Sequence, residues 1–195
     1  MHLFVYLHGF RSSPSSAKCQ LTKLAIDERI HQGHDLAWYA PQLPPSPREA
    51  MLQVTAYIRQ QRYSQLSVIG SSLGGYYATY LAESYGQDCL ATLLNPAIEP
   101  ARDLEKYIGE QSSWHSDDMF YFKKEYIQEL QDLYASHITY PKRYQLLIAK
   151  DDEVLLWQEM VGKYPGATQH VLESGGHALS NYSEHLSKIL KFHLD

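Results

Sequence analysis

Short apolar runs and segments with helical periodicity alternate along most of the chain. The apolar runs are four to six residues long and rich in branched and aromatic side chains, as buried strands are. They are Leu3 to Leu7, Leu36 to Tyr39, Leu66 to Ile69, Leu90 to Leu94, Tyr144 to Ala149 and Thr168 to Leu172. Helical segments between buried strands indicate βαβ units. The pattern therefore predicts an α/β fold with a mostly parallel sheet of about six strands and helices on both faces.

The segment after the first run has apolar residues at helical spacing. These residues are Ala17, Leu21, Leu24 and Ala25. Ser15 or Ser16 can cap the start of this helix, because a serine oxygen accepts a free N–H group of the first turn. We expect the apolar stripe to face the core.

The clearest helix start follows the second run, at Ser46-Pro47-Arg48-Glu49. A capping serine, a proline in the first turn and a glutamate three residues after the serine form a capping box. The buried face of this helix then consists of Met51, Val54, Tyr57 and Ile58. A final helix with the same spacing presents Leu186, Ile189, Leu190 and His193.

Residues 96–143 interrupt the alternation. They contain no convincing strand, and helical patterns lie around Asp103 to Ile108 and Asp118 to Tyr134. An insertion between two strands of one sheet lies over the carboxyl ends of the strands, where open α/β folds bind ligands. We therefore predict a single domain, residues 1–195, in which residues 96–143 form a small helical cap. The alternative is an ordinary connection whose extra helices pack beside the sheet.

The composition excludes several classes of function. The 195 residues are 44% hydrophobic and 20% charged, as in ordinary soluble domains. A net charge of −5 argues against a nucleic-acid partner, which needs a basic surface. The first apolar run stops at His8-Gly9, which makes it too short for the core of a signal peptide. No apolar run is long enough to span a membrane. We therefore expect a cytoplasmic location. Cys19 and Cys89 lie in apolar segments and predict buried thiols rather than a disulfide.

The stretch VIGSSLGGYY, residues 68–77, places Ser72 between Gly70 and Gly74, where a predicted strand meets a predicted helix from Leu73 to Tyr85. The pattern G-x-S-x-G permits a sharp, strained turn that exposes the serine hydroxyl above the sheet. A plain flexible turn or a phosphate-binding loop is the alternative. The Lys-Ser or Lys-Thr pair of a phosphate loop and the G-x-G-x-x-G of a dinucleotide site are both missing. The pattern favours a nucleophilic serine.

Two later strands end in the partners that a nucleophilic serine needs. The acid cluster Lys150-Asp151-Asp152-Glu153 follows one strand, and a glycine-bearing loop with His177 follows the next. The order serine, acid, histidine is that of folds with this turn, in which the histidine is the base and the acid orients it. We predict Ser72 as the nucleophile, Asp152 as the acid and His177 as the base.

The other histidines are weaker candidates. His8 precedes Gly9 at a strand end, and we interpret it as a structural residue that braces the loop. His31 and His34 are three residues apart, but no partner completes a metal set. We therefore expect no metal and no organic cofactor.

An oxyanion hole requires two backbone N–H groups that point at the reacting carbonyl oxygen. We assign them to Leu73, the residue after the serine, and to Phe10, in the loop after the first strand. Aromatic residues can line an apolar acyl site, although isolated ones more often belong to the core. The candidates for this role are Phe10, Tyr76 and Trp114, with Tyr121 and Phe122 as further aromatic residues.

With these features the chain resembles the α/β-hydrolase superfamily, and more closely the small bacterial YqiA-type esterases. The resembling segments are YLHGFRSSPSSAK (6–18), PQLPPSP (41–47), VIGSSLGGYYAT (68–79), NPAIEP (95–100), DEVL (152–155) and GGHAL (175–179). The resemblance implies an α/β-hydrolase fold, the triad of Ser72, Asp152 and His177, and hydrolysis of acyl esters or thioesters. Asp151 stands where such proteins usually carry glycine, so Asp151 is a second candidate for the acid.

The resulting hypothesis is a serine esterase or thioesterase that hydrolyses a small-molecule acyl ester through an acyl-enzyme intermediate. One alternative is a protein that keeps the scaffold and only binds a ligand or another protein. A lyase or acyl-transfer enzyme that uses the same serine is a third hypothesis. Acyl length, leaving group and oligomeric state have no signature in the sequence.

Overall fold

A computed structural model describes residues 1–113 and 119–194. Its strands are β1 (His2–Leu7), β2 (Leu36–Tyr39), β3 (Gln65–Ser71), β4 (Cys89–Leu94), β5 (Gly109–Ser112), β6 (Met119–Phe122), β7 (Tyr144–Ala149) and β8 (Thr168–Leu172). Six of them form one parallel sheet in the order β2-β1-β3-β4-β7-β8, and β5 and β6 form a separate antiparallel pair. The predicted six-stranded parallel sheet is therefore confirmed.

The described helices are α1 (Ala17–His31), α2 (Pro47–Gln60), α3 (Leu73–Tyr85), α4 (Pro100–Leu104), α5 (Glu125–Asp132), α6 (Trp157–Lys163) and α7 (Tyr182–Leu194). Short 3-10 helices occupy Gly86–Asp88, Glu105–Tyr107 and Pro141–Arg143. None of the helices in the described part of the chain combines the length and the apolar character that crossing a bilayer requires.

The hydrophobic core consists of two clusters, one on each face of the six-stranded sheet. Leu3, Val5 and Leu7 of β1 point to the face that α2 and α3 cover. Phe4 and Tyr6 point to the opposite face, which α1 and α7 cover. Successive side chains of a strand face opposite sides of its sheet, so a fully apolar strand requires helices on both faces.

The serine cap predicted for α2 is present. Ser46 Oγ accepts the backbone N–H of Glu49 at 3.2 Å, and Pro47 is the first residue of the helix. Both cysteines are free and buried as expected, and burial raises the pKa of each thiol to about 12. The two thiols therefore stay protonated and unreactive at neutral pH.

The face of α1 that packs on the core differs from the predicted stripe. The buried residues are Cys19, Thr22 and Ile26. Leu21 is 37% exposed and Leu24 is 60% exposed, so the expectation that they belong to the core was wrong. The reason lies in Thr22, whose hydroxyl group bonds the hydroxyl of Tyr182 and the carbonyl of Lys18, each at 2.7 Å. These bonds remove the cost of burying a polar side chain.

Residues 96–143 contain an antiparallel strand pair that the sequence analysis missed. This pair, β5 and β6, is called the hairpin below. We predicted one helix over Asp118 to Tyr134, but only Glu125–Asp132 is helical, as α5. Met119–Phe122 forms the strand β6 instead, and Asp118 lies outside the described residues. In β6 the exposed Met119 and Tyr121 alternate with Phe120 and the buried Phe122, which is the period of a strand. The second predicted helix, near residue 103, is the short α4 followed by a 3-10 turn.

Candidate active site

Ser72 sits at the turn from β3 into α3, with φ of 56° and ψ of −119°. The turn is tight: a Cβ atom on Gly70 would lie 2.1 Å from the carbonyl oxygen of Gly74, and a Cβ atom on Gly74 would lie 1.9 Å from that of Leu7. Only glycine fits at these two positions. Two hydrogen bonds to the end of β4 and the segment after it hold this strained backbone. The Ser72 N–H donates to the Leu94 carbonyl, and the Ser72 carbonyl accepts the N–H of Ala97.

Three side chains form a continuous line of hydrogen bonds. His177 Nε2 lies 3.0 Å from Ser72 Oγ, and His177 Nδ1 lies 2.8 Å from Asp152 Oδ2. The Asp152 side chain is fully buried, and its other oxygen accepts the N–H groups of Val154 and Leu155. Because the carboxylate only accepts, Nδ1 carries the imidazole proton and Nε2 presents a lone pair to the serine. Asp152, and not Asp151, contacts the imidazole.

Asn95 is a buried residue that the sequence analysis did not single out. It follows β4 with φ of 42° and is fully shielded from solvent. Its Nδ2 donates to the carbonyls of Gly176 and His177 at 2.9 and 3.3 Å, and its Oδ1 accepts the N–H of Ala149 at 2.8 Å. One side chain thus connects the end of the acid-bearing strand to the loop of the histidine. Its place at a strand end, within the NPAIEP segment, was the available signal.

Lys18 is a second residue that the sequence analysis missed. Its Nζ donates to the carbonyl of Ala178 at 2.7 Å. Burial lowers the pKa of this ammonium to about 8, against the opposing attraction of the Asp152 carboxylate. The Lys18 ammonium and the Asp152 carboxylate therefore attract each other.

The loop after β1 reaches the serine through Gly9. A Cβ atom at Gly9 would lie 3.1 Å from the Ser72 Cβ atom, so this loop runs directly beside the serine. The N–H groups of Phe10 and Leu73 donate to no other residue in the described ranges 1–113 and 119–194. His8 braces the loop as interpreted, because its Nε2 accepts the N–H of Leu43 at 3.0 Å while Nδ1 bonds the Gly9 carbonyl at 2.9 Å.

A family model described as an uncharacterised protein family, UPF0227, matches residues 3–194. The chain belongs to the UPF0227 family. That match covers every element of the site described above.

Solved structures have the same fold as this UPF0227 chain. A protein of Agrobacterium vitis S4 has a TM-score of 0.78 at 16% identity, over 99% of this chain and 88% of that chain. Est1E of Butyrivibrio proteoclasticus, with ferulic acid bound, has a TM-score of 0.72 at 15% identity, over 100% and 90% of the two chains. Alpha/beta hydrolase domain-containing protein 10 of mouse has a TM-score of 0.69 at 13% identity, over 97% and 89%. The predicted α/β-hydrolase fold class is confirmed, in agreement with the resemblance seen in the sequence.

A cavity of about 620 Å³ opens beside the loop after β1 in the UPF0227 chain. Its apolar wall includes Phe10, Leu73, Tyr77 and Phe120, and its polar wall includes Arg11, Ser12, Gln42 and Gln53. Phe10 also packs against Phe122 and Tyr107, with ring centroids 5.2 and 5.6 Å away. The hairpin therefore contacts the loop that carries the N–H group of Phe10.

The residues predicted to bind substrate separate in the structure. Phe10 lines the cavity, whereas Tyr76 bonds the Leu130 carbonyl and lines a different recess between α4 and α5. The next residue, Tyr77, lines the cavity instead, because successive residues of a helix point about 100° apart. Trp114 lies outside the described residues.

His31, the last residue of α1, and His34 are both exposed. Across residues 1–113 and 119–194, no three histidine, cysteine or acidic side chains are grouped so that they could hold a metal ion.

Proposed function

We propose that this protein is a serine hydrolase that cleaves acyl esters or thioesters through an acyl-enzyme intermediate. The observation that carries the proposal is the unbroken line from Asp152 through His177 to Ser72, with contacts of 2.8 and 3.0 Å, at a strained turn. A serine hydroxyl is a weak nucleophile until a base removes its proton, and this arrangement supplies the base and its orienting acid.

In the first half of the reaction, His177 Nε2 takes the hydroxyl proton while Ser72 Oγ attacks the acyl carbonyl carbon. The negative charge that develops on the carbonyl oxygen is bound by the N–H groups of Phe10 and Leu73, each contributing about 3 kcal/mol. His177 then gives its proton to the leaving oxygen or sulfur as that bond breaks. The acyl group remains on Ser72.

In the second half, a water molecule gives a proton to His177 and its oxygen attacks the acyl carbon. Collapse of the second tetrahedral intermediate releases the acid and returns the proton to Ser72. During both steps Asp152 stays ionised and stabilises the charged imidazole.

Proteins of similar structure also support this class of reaction. Solved proteins with the same fold include lipolytic enzymes and an esterase of Pyrococcus furiosus. We also propose that residues 96–143 act as the cap of a single domain over the cavity. In support, Phe120 lines the cavity, and Arg11 Nε and Nη2 bond the carbonyl and hydroxyl of Ser112 at 2.6 Å each.

The test is hydrolysis of p-nitrophenyl acyl esters of graded chain length by the native protein and by the Ser72→Ala variant. Ser71→Ala is the matched control, because Ser71 is the adjacent serine and ends β3 without contacting His177. We expect Ser72→Ala to lose turnover and Ser71→Ala to keep it. A fluorophosphonate is expected to label Ser72 alone. Equal rates for the native protein and Ser72→Ala, or a label on another residue, would overturn the proposal.

A further inference from the structure

The loop that carries His177 has no regular secondary structure of its own. It follows β8, and its backbone turns at Gly175 with φ of 149° and at Gly176 with φ of 62°. Segments without helix or strand bonds rely on other groups for their backbone hydrogen bonds. The position of the imidazole therefore depends on what binds this loop.

Three consecutive carboxylates after β7 bind three different parts of the loop. Asp151 accepts the N–H of Gly176 at 2.8 Å through Oδ1 and that of Gly175 at 3.3 Å through Oδ2. Glu153 accepts the N–H of His177 at 2.9 Å. Asp152, between them, bonds the imidazole of His177. The two outer acids hold the backbone while the middle acid holds the ring.

The carbonyl groups of the loop accept hydrogen bonds from two other side chains. Asn95 donates to the carbonyls of Gly176 and His177, and Lys18 donates to that of Ala178. The acids bond N–H groups of the loop and these donors bond its carbonyl groups, so both kinds of backbone group are held. Hydrogen bonds from N–H groups to carboxylates are about twice as strong as neutral ones of the same exposure.

We propose that Asp151 and Glu153 are positioning residues, which hold the backbone of residues 175–177 so that the His177 ring bridges Asp152 and Ser72. The inference rests on the proposed function, because it assigns the two acids a role in that reaction. A misplacement of about 1 Å in a reacting group can cost on the order of 100-fold in rate. Neither acid touches the serine, so each acts only through the histidine.

The experiment compares Asp151→Ala and Glu153→Ala with the conservative variants Asp151→Asn and Glu153→Gln, which keep one acceptor oxygen. Glu173→Ala is the matched control. Glu173 is an exposed acid that precedes the same loop and pairs with Lys150 at 2.5 Å without bonding residues 175–177. The rate constants are measured with p-nitrophenyl acetate, and the Nδ1 proton of His177 is followed by NMR.

We expect each alanine variant to lower kcat about tenfold or more while KM changes less than about twofold, since ground-state binding is untouched. The conservative variants recover most of kcat, and Glu173→Ala keeps the native value. The Nδ1 proton resonance broadens or moves in the alanine variants only. The double alanine variant loses less than the product of the two single losses, because both acids act on one loop.

The two proposals fail in different ways. Full activity in Ser72→Ala would remove the proposed function. If Ser72→Ala is inactive but Asp151→Ala and Glu153→Ala match Glu173→Ala in kcat, the positioning role is wrong and the proposed function stands. A rise in KM at unchanged kcat would also overturn it, because it would place the acids against the substrate. If one alanine variant does not fold, the other and the two conservative variants give the same comparison.

Discussion

Asn95 Nδ2 donates a hydrogen bond to the carbonyl of Gly176, 81 residues later in the chain. The same buried side chain also bonds His177 and Ala149, so it links the segment after β4 to the end of β7 and to the histidine loop. Its φ of 42° is a conformation that asparagine tolerates better than most residues. Asn95 therefore satisfies both the local backbone and the distant loop.

We predict that Asn95→Ala lowers the free energy of unfolding by about 2 to 4 kcal/mol, because buried carbonyl and N–H groups lose their partner. We expect kcat to fall as well, since the histidine loop loosens. Urea unfolding and ester hydrolysis measure the two effects. Asn181→Ala is the control, because Asn181 bonds Ser174 in the same loop but not residues 176 and 177. Equal losses in both variants would contradict the prediction.

The choice between the two aspartates is testable by removing one charge at a time. We expect Asp152→Asn to lower kcat on the order of 10⁴-fold, because an amide stabilises the wrong tautomer of the imidazole and cannot balance its charge. Asp151→Asn retains an acceptor for the loop backbone and is expected to lose far less. Steady-state kinetics with one p-nitrophenyl ester compare the variants. The reverse order of effects would reassign the acid.

Two adjacent residues of β6 test whether the hairpin covers the cavity. Phe120 lines the cavity and packs edge-on against Phe10, whereas Tyr121 is 57% exposed on the other face of the strand. We expect Phe120→Ala to raise KM about tenfold for short-chain esters, which corresponds to roughly 1.4 kcal/mol of lost contact, with a smaller effect on kcat. Tyr121→Ala leaves both constants unchanged. Identical kinetics for the two variants would show that the hairpin does not contact the substrate.

Acid is expected to destabilise the fold through a buried histidine. His193 bonds Thr92 through Nε2, and within the described part of the chain its Nδ1 has no partner. Burial, with a smaller effect from His2, lowers the pKa of His193 to about 3. Between pH 6.5 and about 3 the unfolded chain therefore binds a proton that the native protein does not, so stability falls as the pH falls through this window.

At pH 5 this difference amounts to about 2 kcal/mol for one such histidine. We predict that His193→Gln removes about that much of the loss in unfolding free energy between pH 7 and pH 5. Urea titrations at the two pH values give the measurement. The exposed His34 provides the control, since His34→Gln is expected to leave the pH difference unchanged. A native-like pH difference in His193→Gln would rule out this residue as the cause.

The turn at Ser72 predicts a large contrast between two glycines that both lie in helices. Gly74→Ala places a Cβ atom 1.9 Å from the Leu7 carbonyl oxygen, so we expect a loss of more than about 3 kcal/mol or failure to fold. Gly162→Ala in α6 meets nothing within 4 Å and is expected to gain up to about 1 kcal/mol from helix propensity. Thermal unfolding compares the two variants. A stable Gly74→Ala protein would show that β1 and α3 are farther apart than described.

The sequence alone was enough for the features that depend on neighbouring residues. Strand positions follow from short apolar runs, and β2, β7 and β8 have the predicted bounds. The serine cap of α2 and the pattern of Gly70, Ser72 and Gly74 involve residues within four positions of each other. The proximity of Asp152 and His177 was predictable because parallel strands bring their carboxyl ends to one edge of the sheet, so order along the chain indicates proximity.

Only the tertiary structure decided the features that depend on partners far along the chain. The buried face of α1 is set by Thr22, whose hydroxyl partner Tyr182 is 160 residues away. The different hydrogen-bond partners of Asp151, Asp152, Glu153 and Asn95 in the histidine loop likewise exist only in the folded chain. Local patterns record which residues prefer to be buried, but a polar group is buried only when a distant group satisfies its hydrogen bonds, and that pairing exists only in the folded chain.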